Sequence, residues 1–284
     1  MFIRNEKNGI CFYTSSLLSE YNISHGFFTR HGGVSDGDFD SLNVSTARKD
    51  RNGNCDNQKN VYENYRLSLS VLGTSPENAL GTHQVHKNVV LRANDENAGR
   101  GINPAFSEMD DCDGLFLDDN TTKIDTLCIK TADCVPVLLS SKNGKQVCAV
   151  HAGWRGTVSD IVTRAAEMFS CDKNDIICAI GPCINVCCYE VGQEVYDAVK
   201  ELFYRKGIEN LVDNMFLEAS TCSAIVKRKA NLARINKELL VNYGIPEKNI
   251  DVSEICTCCN QDEFFSHRAS GGFSGTFLSA IKRL

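Results

Sequence analysis

No run in this sequence stays apolar over the ~20 residues that a helix needs to cross a bilayer, so no membrane partner is expected. Pro- and Ser-rich linkers, low-complexity tracts and internal repeats are also missing, and a single domain over residues 1–284 is the expectation. Positive charge is in deficit. The 30 Lys and Arg face 36 Asp and Glu, a net charge of −6, so no overall field draws in nucleic acid or acidic lipid. The one basic cluster, KRKANLARINK (227–237), reads as a solvated helix face. The opening segment MFIRNEKNGICFYTSSLL lacks a charged stretch followed by a continuous apolar one. No secretory signal is therefore expected, and the location is read as cytoplasmic.

Cysteine, by contrast, is abundant, with 15 residues. The chain is too large and too rich in apolar residues (42%) to be a disulfide-stapled miniprotein, so the thiols are read as reduced. Cys128, Cys148 and Cys178 sit inside apolar runs as small core residues. CTCC (256–259) with His267 nearby invites a second metal site. A structural zinc site draws on two separated ligand pairs, however, and here they would crowd one short segment, so that reading is set aside. Cys187-Cys188 is likewise expected to be a pair of reduced thiols.

Strand-like runs open the chain, GICFYTSS and SHGFFTR. A polar stretch (47–60) leads into the helix VYENYRLSLSVLG, closed by Gly73. Residues 93–113, polar and punctuated by Gly and Pro, form an expected surface loop near a site. TLCIKTADCVPVLLSS (126–141) reads as one buried strand interrupted at Lys130-Thr131-Ala132-Asp133. Asn143-Gly144 turns it into a second strand, KQVCAVHAG. A helix is expected after Gly156, with Ile161, Ala165, Met168 and Phe169 on one stripe. DIICAIGPCI and NIDVSEICT are further strands, and two more helices close at Gly207 and Gly244. Hairpins mixed with separate helices predict an α+β fold: one layered domain of mixed and antiparallel sheets flanked by helices.

Three segments stand out chemically: THQVHKN (82–88), TADCVPVLL (131–139) and VHAGWRGTV (150–158). His86, Cys134 and His151 each sit beside small or polar residues at a break in an apolar run. Two imidazoles and one thiolate form a ligand set used by catalytic zinc, with a fourth position left open. The hairpin brings the neighbourhoods of Cys134 and His151 together, because paired strands lie ~5 Å apart. His83 and His86 would point to opposite faces of a strand, so only one of them is expected to be a ligand. Arg155 and Arg30 have the fork that grips phosphate or carboxylate. Trp154, the sole tryptophan, would stack on a base or fill core space. Asp133 and Glu190 are the candidate proton carriers.

Taken together, TRHGGVS (29–35), DSLNVS (40–45), QVH (84–86), TADCVPVLL, VHAGWRGTV, IGPCI with CYEVG (188–192), and CT (256–257) with FFSHR (264–268) resemble one family, in its order and over nearly the whole chain. It is the multicopper-polyphenol-oxidase-like, laccase-domain family, regarded as zinc-dependent purine nucleoside phosphorylases with adenosine deaminase activity. The resemblance implies metal ligands at His86, Cys134 and His151, and a substrate pocket that includes Arg30 and Asn43; Arg268, in FFSHR, is a further candidate substrate contact. It implies Zn2+, with Cu2+ as the alternative, and purine nucleosides and phosphate as partners, with methylthioadenosine phosphorolysis a further activity. Three departures fall toward the C-terminus: His267 and Ala269 where the family shows Tyr and a basic residue, Gly275-Thr276 for Gly-Arg, and Asn231-Leu232 with Asn236-Lys237 for Asp-Leu and Asn-Arg. Two other readings stay open, a copper-dependent phenol oxidase and a cysteine hydrolase or cell-wall amidase with Cys134 as nucleophile and His151 as base.

Overall fold

The computed structural model describes residues 1–106, 109–218 and 227–284. Its centre is a pair of six-stranded sheets laid face to face. The first runs, edge to edge, through Phe2–Lys7, Ile10–Ser15, His25–Phe28, Phe277–Lys282, Thr126–Thr131 and Ala79–Gly81. The second runs through Ile250–Val252, Ile176–Ile180, Val135–Ser141, Val147–Ala152, Gly114–Leu117 and Val90–Arg92. Both are mostly antiparallel, with parallel pairs at their edges.

Alternation along each strand decides which layer a side chain joins. Leu127 and Ile129 of the first sheet and Leu138, Val147 and Ala149 of the second share the core between the sheets. Cys128 points the other way, onto helix Gln58–Val71 through Tyr65 and Leu69. Val137, Leu139, Cys148 and Val150 face outward onto helices Ile161–Ala166, Gln193–Lys206 and Leu232–Tyr243. The result is four layers, helix on sheet on sheet on helix. A sheet buried on both faces needs apolar residues at every position, and this explains why these strands read as unbroken hydrophobic runs. The expected α+β fold with flanking helices is present.

Several local expectations change. The segment 126–141 is two strands in different sheets, so the break at Ala132-Asp133-Cys134 is where the chain crosses between layers. The helix expected after Gly156 begins earlier, at Trp154, and is cut in two by Asp160, whose φ of 64° is left-handed. Part of the basic stretch, Arg228–Ala230, is the middle strand of a small third sheet, and the helix starts only at Leu232. Residues 107–108, inside the expected loop 93–113, lie outside the described residues.

Candidate active site

Cys134 lies at the crossing, and His151 is on the next strand, where Pro136 is its register partner. Both belong to the same hairpin, so the Asn143-Gly144 turn fixes their spacing. His86 arrives separately, from a turn ahead of Val90–Arg92. One ligand atom from each of His86, Cys134 and His151 lies within 4.8 Å of the others, and the two imidazole rings are 4.8 Å apart and nearly perpendicular. His86 is exposed, Cys134 half-buried and His151 buried. His83 turns away to Asp111, with its Nδ1 3.1 Å from a carboxylate oxygen.

Two features show that this convergence is built rather than accidental. A Cβ at Gly153 would lie 3.1 Å from His86 Cδ2, 3.3 Å from Cys134 Sγ and 3.7 Å from His151 Cε1. A side chain there would press on all three groups, and this gives the first glycine of HAGWRG its reason. His86 and Asp133 also hold positive φ angles, 59° and 87°, conformations that cost non-glycine residues about 1–3 kcal/mol each.

Neighbouring carboxylates hold those two turns. Asp113 accepts backbone N–H bonds from Val85, His86 and Lys87 at 3.2, 2.9 and 2.7 Å. It also meets His151 Nδ1 at 2.8 Å, so Nε2 is the nitrogen left for a ligand. Asp133 accepts the Thr257 hydroxyl at 2.7 Å, the Ser266 hydroxyl at 3.0 Å and the Arg268 N–H at 2.7 Å.

The electrostatics follow from these contacts. Burial pushes the Cys134 thiol up, but the charge of His151 and bonds from His151 and His86 outweigh it and hold the thiol below its ordinary pKa. Burial pushes His151 down, and the Cys134 thiolate with Asp113 raises it above the ordinary imidazole value. The thiolate that a divalent cation requires is thus close at hand, and His151 gives up its Nε2 proton when the ion binds; with these donors the three residues fit a metal ion.

A cleft of about 550 Å³ opens on this group, lined by His86, Cys134 and His151. Arg48 and Lys130 bring positive charge to its wall, while Tyr65, Ile102, Phe106 and Met109 give it apolar surface. Arg48 Nη1 lies 3.1 Å from His267 Nδ1. A guanidinium only donates, so that ring nitrogen accepts and His267 is neutral. Lys130 Nζ bonds Thr82 O at 3.0 Å. Gln84 bonds the Lys130 backbone N–H and C=O at 2.8 and 2.7 Å, as a neighbouring strand would.

Most of the substrate and proton-transfer candidates read from sequence are elsewhere. Among the described residues, Arg30, Asn43, Asp133, Trp154, Arg155, Glu190 and Arg268 do not line the cleft. Arg30 donates to Asp40 O and Gln261 O and lies over the Phe265 ring. Asn43 is buried, bonding Ser45, Asp56 and the Thr276 N–H, and so braces the loop that carries Arg48. Arg155 covers Trp154, its guanidinium carbon 4.4 Å from the ring centroid. Glu190 pairs with Lys227 at 2.6 Å. Arg268 donates to Glu190 O at 3.1 Å.

Conversely, Asp113, Arg48 and Lys130 were not singled out from sequence. A carboxylate directly before the apolar run GLFL was the available sign for Asp113, but it is one of several acids in a row.

Comparison with known proteins gives a consistent picture. A purine nucleoside phosphorylase of Bacteroides thetaiotaomicron is 32% identical over 270 residues, covering 94% of this chain and 93% of the relative. The Escherichia coli protein named purine nucleoside phosphorylase YfiH is 30% identical over 84% of this chain and 86% of its own length. Among solved structures, YlmD from Geobacillus stearothermophilus superposes with a TM-score of 0.81 at 28% identity, covering 98% of this chain and 97% of that one. A hypothetical protein YfiH of Bacillus licheniformis reaches 0.85, also at 28% identity, over 100% and 99%. The family model described as multi-copper polyphenol oxidoreductase laccase matches residues 24–283, and the chain belongs to that family.

Proposed function

We propose that this chain is a zinc-dependent purine nucleoside phosphorylase, cleaving adenosine, inosine or guanosine with phosphate to free base and ribose 1-phosphate. The observation that carries the proposal is the open cleft of about 550 Å³ whose wall combines the His86–Cys134–His151 group with two cationic side chains. The names of the relatives support the same reading.

In the reaction the N9–C1′ bond breaks, a phosphate oxygen bonds C1′, and the base leaves with a proton. Arg48 and Lys130 hold the phosphate dianion by charge-assisted hydrogen bonds. Tyr65, Ile102, Phe106 and Met109 exclude water and take the flat face of the purine. His86, Cys134 and His151 hold the metal, with Asp113 fixing the His151 tautomer. A bound divalent ion supplies Lewis-acid stabilisation of charge and activates water near neutral pH, and adenosine deamination and methylthioadenosine phosphorolysis are further reactions of the same cleft.

Copper is the competing metal, since one thiolate and two imidazoles also suit it. An open cleft beside the ligands supports zinc, whose catalytic sites keep a free position. A second reading rests on Asp113: Cys134, His151 and Asp113 have the order of a nucleophile, a base and an orienting carboxylate. That reading leaves His86 without a task.

Incubation with inosine and adenosine, with and without phosphate, separates the possibilities. Phosphorolysis gives ribose 1-phosphate only when phosphate is present, and Cys134→Ala abolishes it together with one equivalent of bound metal. Turnover that survives in Cys134→Ala, or metal-free protein that is active and covalently trapped at Cys134, contradicts the proposal.

A further inference from the structure

Two turns that are distant in sequence meet on the surface near the metal group. One runs from Asn185 to Tyr189, with Cys188 N donating to Asn185 O at 2.9 Å. The other runs from Cys256 to Asn260, with Asn260 N donating to Cys256 O at 3.1 Å. A parallel backbone β-bridge pairs Cys183 with Cys256 and locks the two turns side by side, reinforced by Asn185 Nδ2 on Glu254 O at 2.9 Å.

This juxtaposition gathers four thiols. The sulfurs of Cys187, Cys188, Cys256 and Cys259 all lie within 4.8 Å of one another. Cys259 Sγ is 3.6 Å from Cys187 Sγ and 3.3 Å from Cys188 Sγ. A tetrahedral tetrathiolate with ~2.3 Å metal–sulfur bonds has its sulfurs about 3.8 Å apart. The cluster is near that spacing and well outside the ~2.05 Å of a disulfide. The sequence-based objection to CTCC, that a structural site needs a second, separated pair, is met by Cys187-Cys188.

The surroundings suit a bound cation. Cys256 Sγ accepts the Asn185 N–H at 3.4 Å and that of Cys259, the N–H to sulfur bonds that orient a metal-bound thiolate. Four thiolates around a divalent ion leave a net charge of about −2. Lys229 and Arg268 offset it, donating to Cys187 O at 2.9 Å and Cys188 O at 3.4 Å.

We propose that Cys187, Cys188, Cys256 and Cys259 form a second, closed metal site that takes one thiophilic divalent cation of the zinc class. The site is structural. With four protein ligands it has no vacant position for substrate, and it ties together the turns behind Asp133, since Thr257 lies between two of its cysteines and bonds that carboxylate at 2.7 Å.

The test is elemental analysis of full-length protein produced with zinc and dialysed, compared among wild type, Cys134→Ala and the double variant Cys187→Ser/Cys259→Ser. Cys187 and Cys259 are exposed, so the serines leave the core untouched. The expected contents are two equivalents of zinc in wild type and one in each variant. Mapping alkylation by mass spectrometry should find Cys187 and Cys259 protected in zinc-loaded wild type and modified after chelation. Equal zinc in wild type and the double variant overturns the proposal. So does alkylation of both cysteines in zinc-replete protein, or a disulfide joining any two of the four. If Cys134→Ala alone fails to lose its equivalent, the phosphorylase reading fails while the four-thiol site stands.

Discussion

Two histidines lie almost wholly buried in the sandwich, and their partners make opposite use of them. His25 is 2% exposed and His151 3%. His25 hydrogen-bonds only to backbone: its Nε2 accepts the Ser15 N–H at 2.7 Å, and its Nδ1 donates to Ile23 O at 2.8 Å, while the Asp251 charge opposes burial only weakly. Burial dominates, and its pKa falls to about 4. His151 is buried to the same degree, yet Asp113 and the Cys134 thiolate raise its pKa. Burial alone therefore does not mark a site. An acidic partner on one ring nitrogen and a soft ligand beside the other are what suit a buried imidazole to hold a metal.

The largest effect separating the two histidines should be on stability. His25 stays neutral in the fold and protonates near 6.5 when unfolded, so the unfolded chain binds the extra proton. Its contribution is complete above pH 6.5, falls as the pH drops toward 4, and is gone below that. The full swing is about 3.5 kcal/mol, from ~2.5 pKa steps at ~1.4 kcal/mol each. Denaturant titrations between pH 4 and 7 should show this slope, and His25→Gln should flatten it even where its overall stability is lower. An unchanged slope in the variant would place the acid sensitivity elsewhere.

A smaller effect is expected at the other histidine. Asp113→Asn keeps the shape behind His151 but removes the charge, and loss of such a supporting partner weakens metal binding by ~10–100-fold. Competition with a chromogenic chelator reads this directly. An affinity equal to that of wild type would reduce Asp113 to a brace for the 85–87 turn.

The contrast also explains what could be read in advance. The layered fold was legible because strands buried on both faces are apolar throughout. His86, Cys134 and His151 stood out because each interrupts such a run. Asp113 was hidden among neighbouring acids, because its importance comes from three N–H groups that only the fold brings to it. The arginines are a different case. Arg30 and Arg155 carry the correct chemistry for phosphate, but each is spent on backbone carbonyls or an aromatic ring, while Arg48 in an unremarkable polar loop faces the cleft. One half of the four-thiol cluster, CTCC, was visible but set aside for want of a second ligand pair, because that pair lies some 70 residues away, as the separation of 72 between Cys187 and Cys259 shows.

The most direct measurement is an anomalous difference map, collected at the zinc edge, from crystals of the zinc-loaded protein. The expected result is a peak at bonding distance, about 2.0–2.3 Å, from a ring nitrogen of His86, Cys134 Sγ and His151 Nε2 together. A fully loaded crystal with no peak among these three atoms would contradict the assignment.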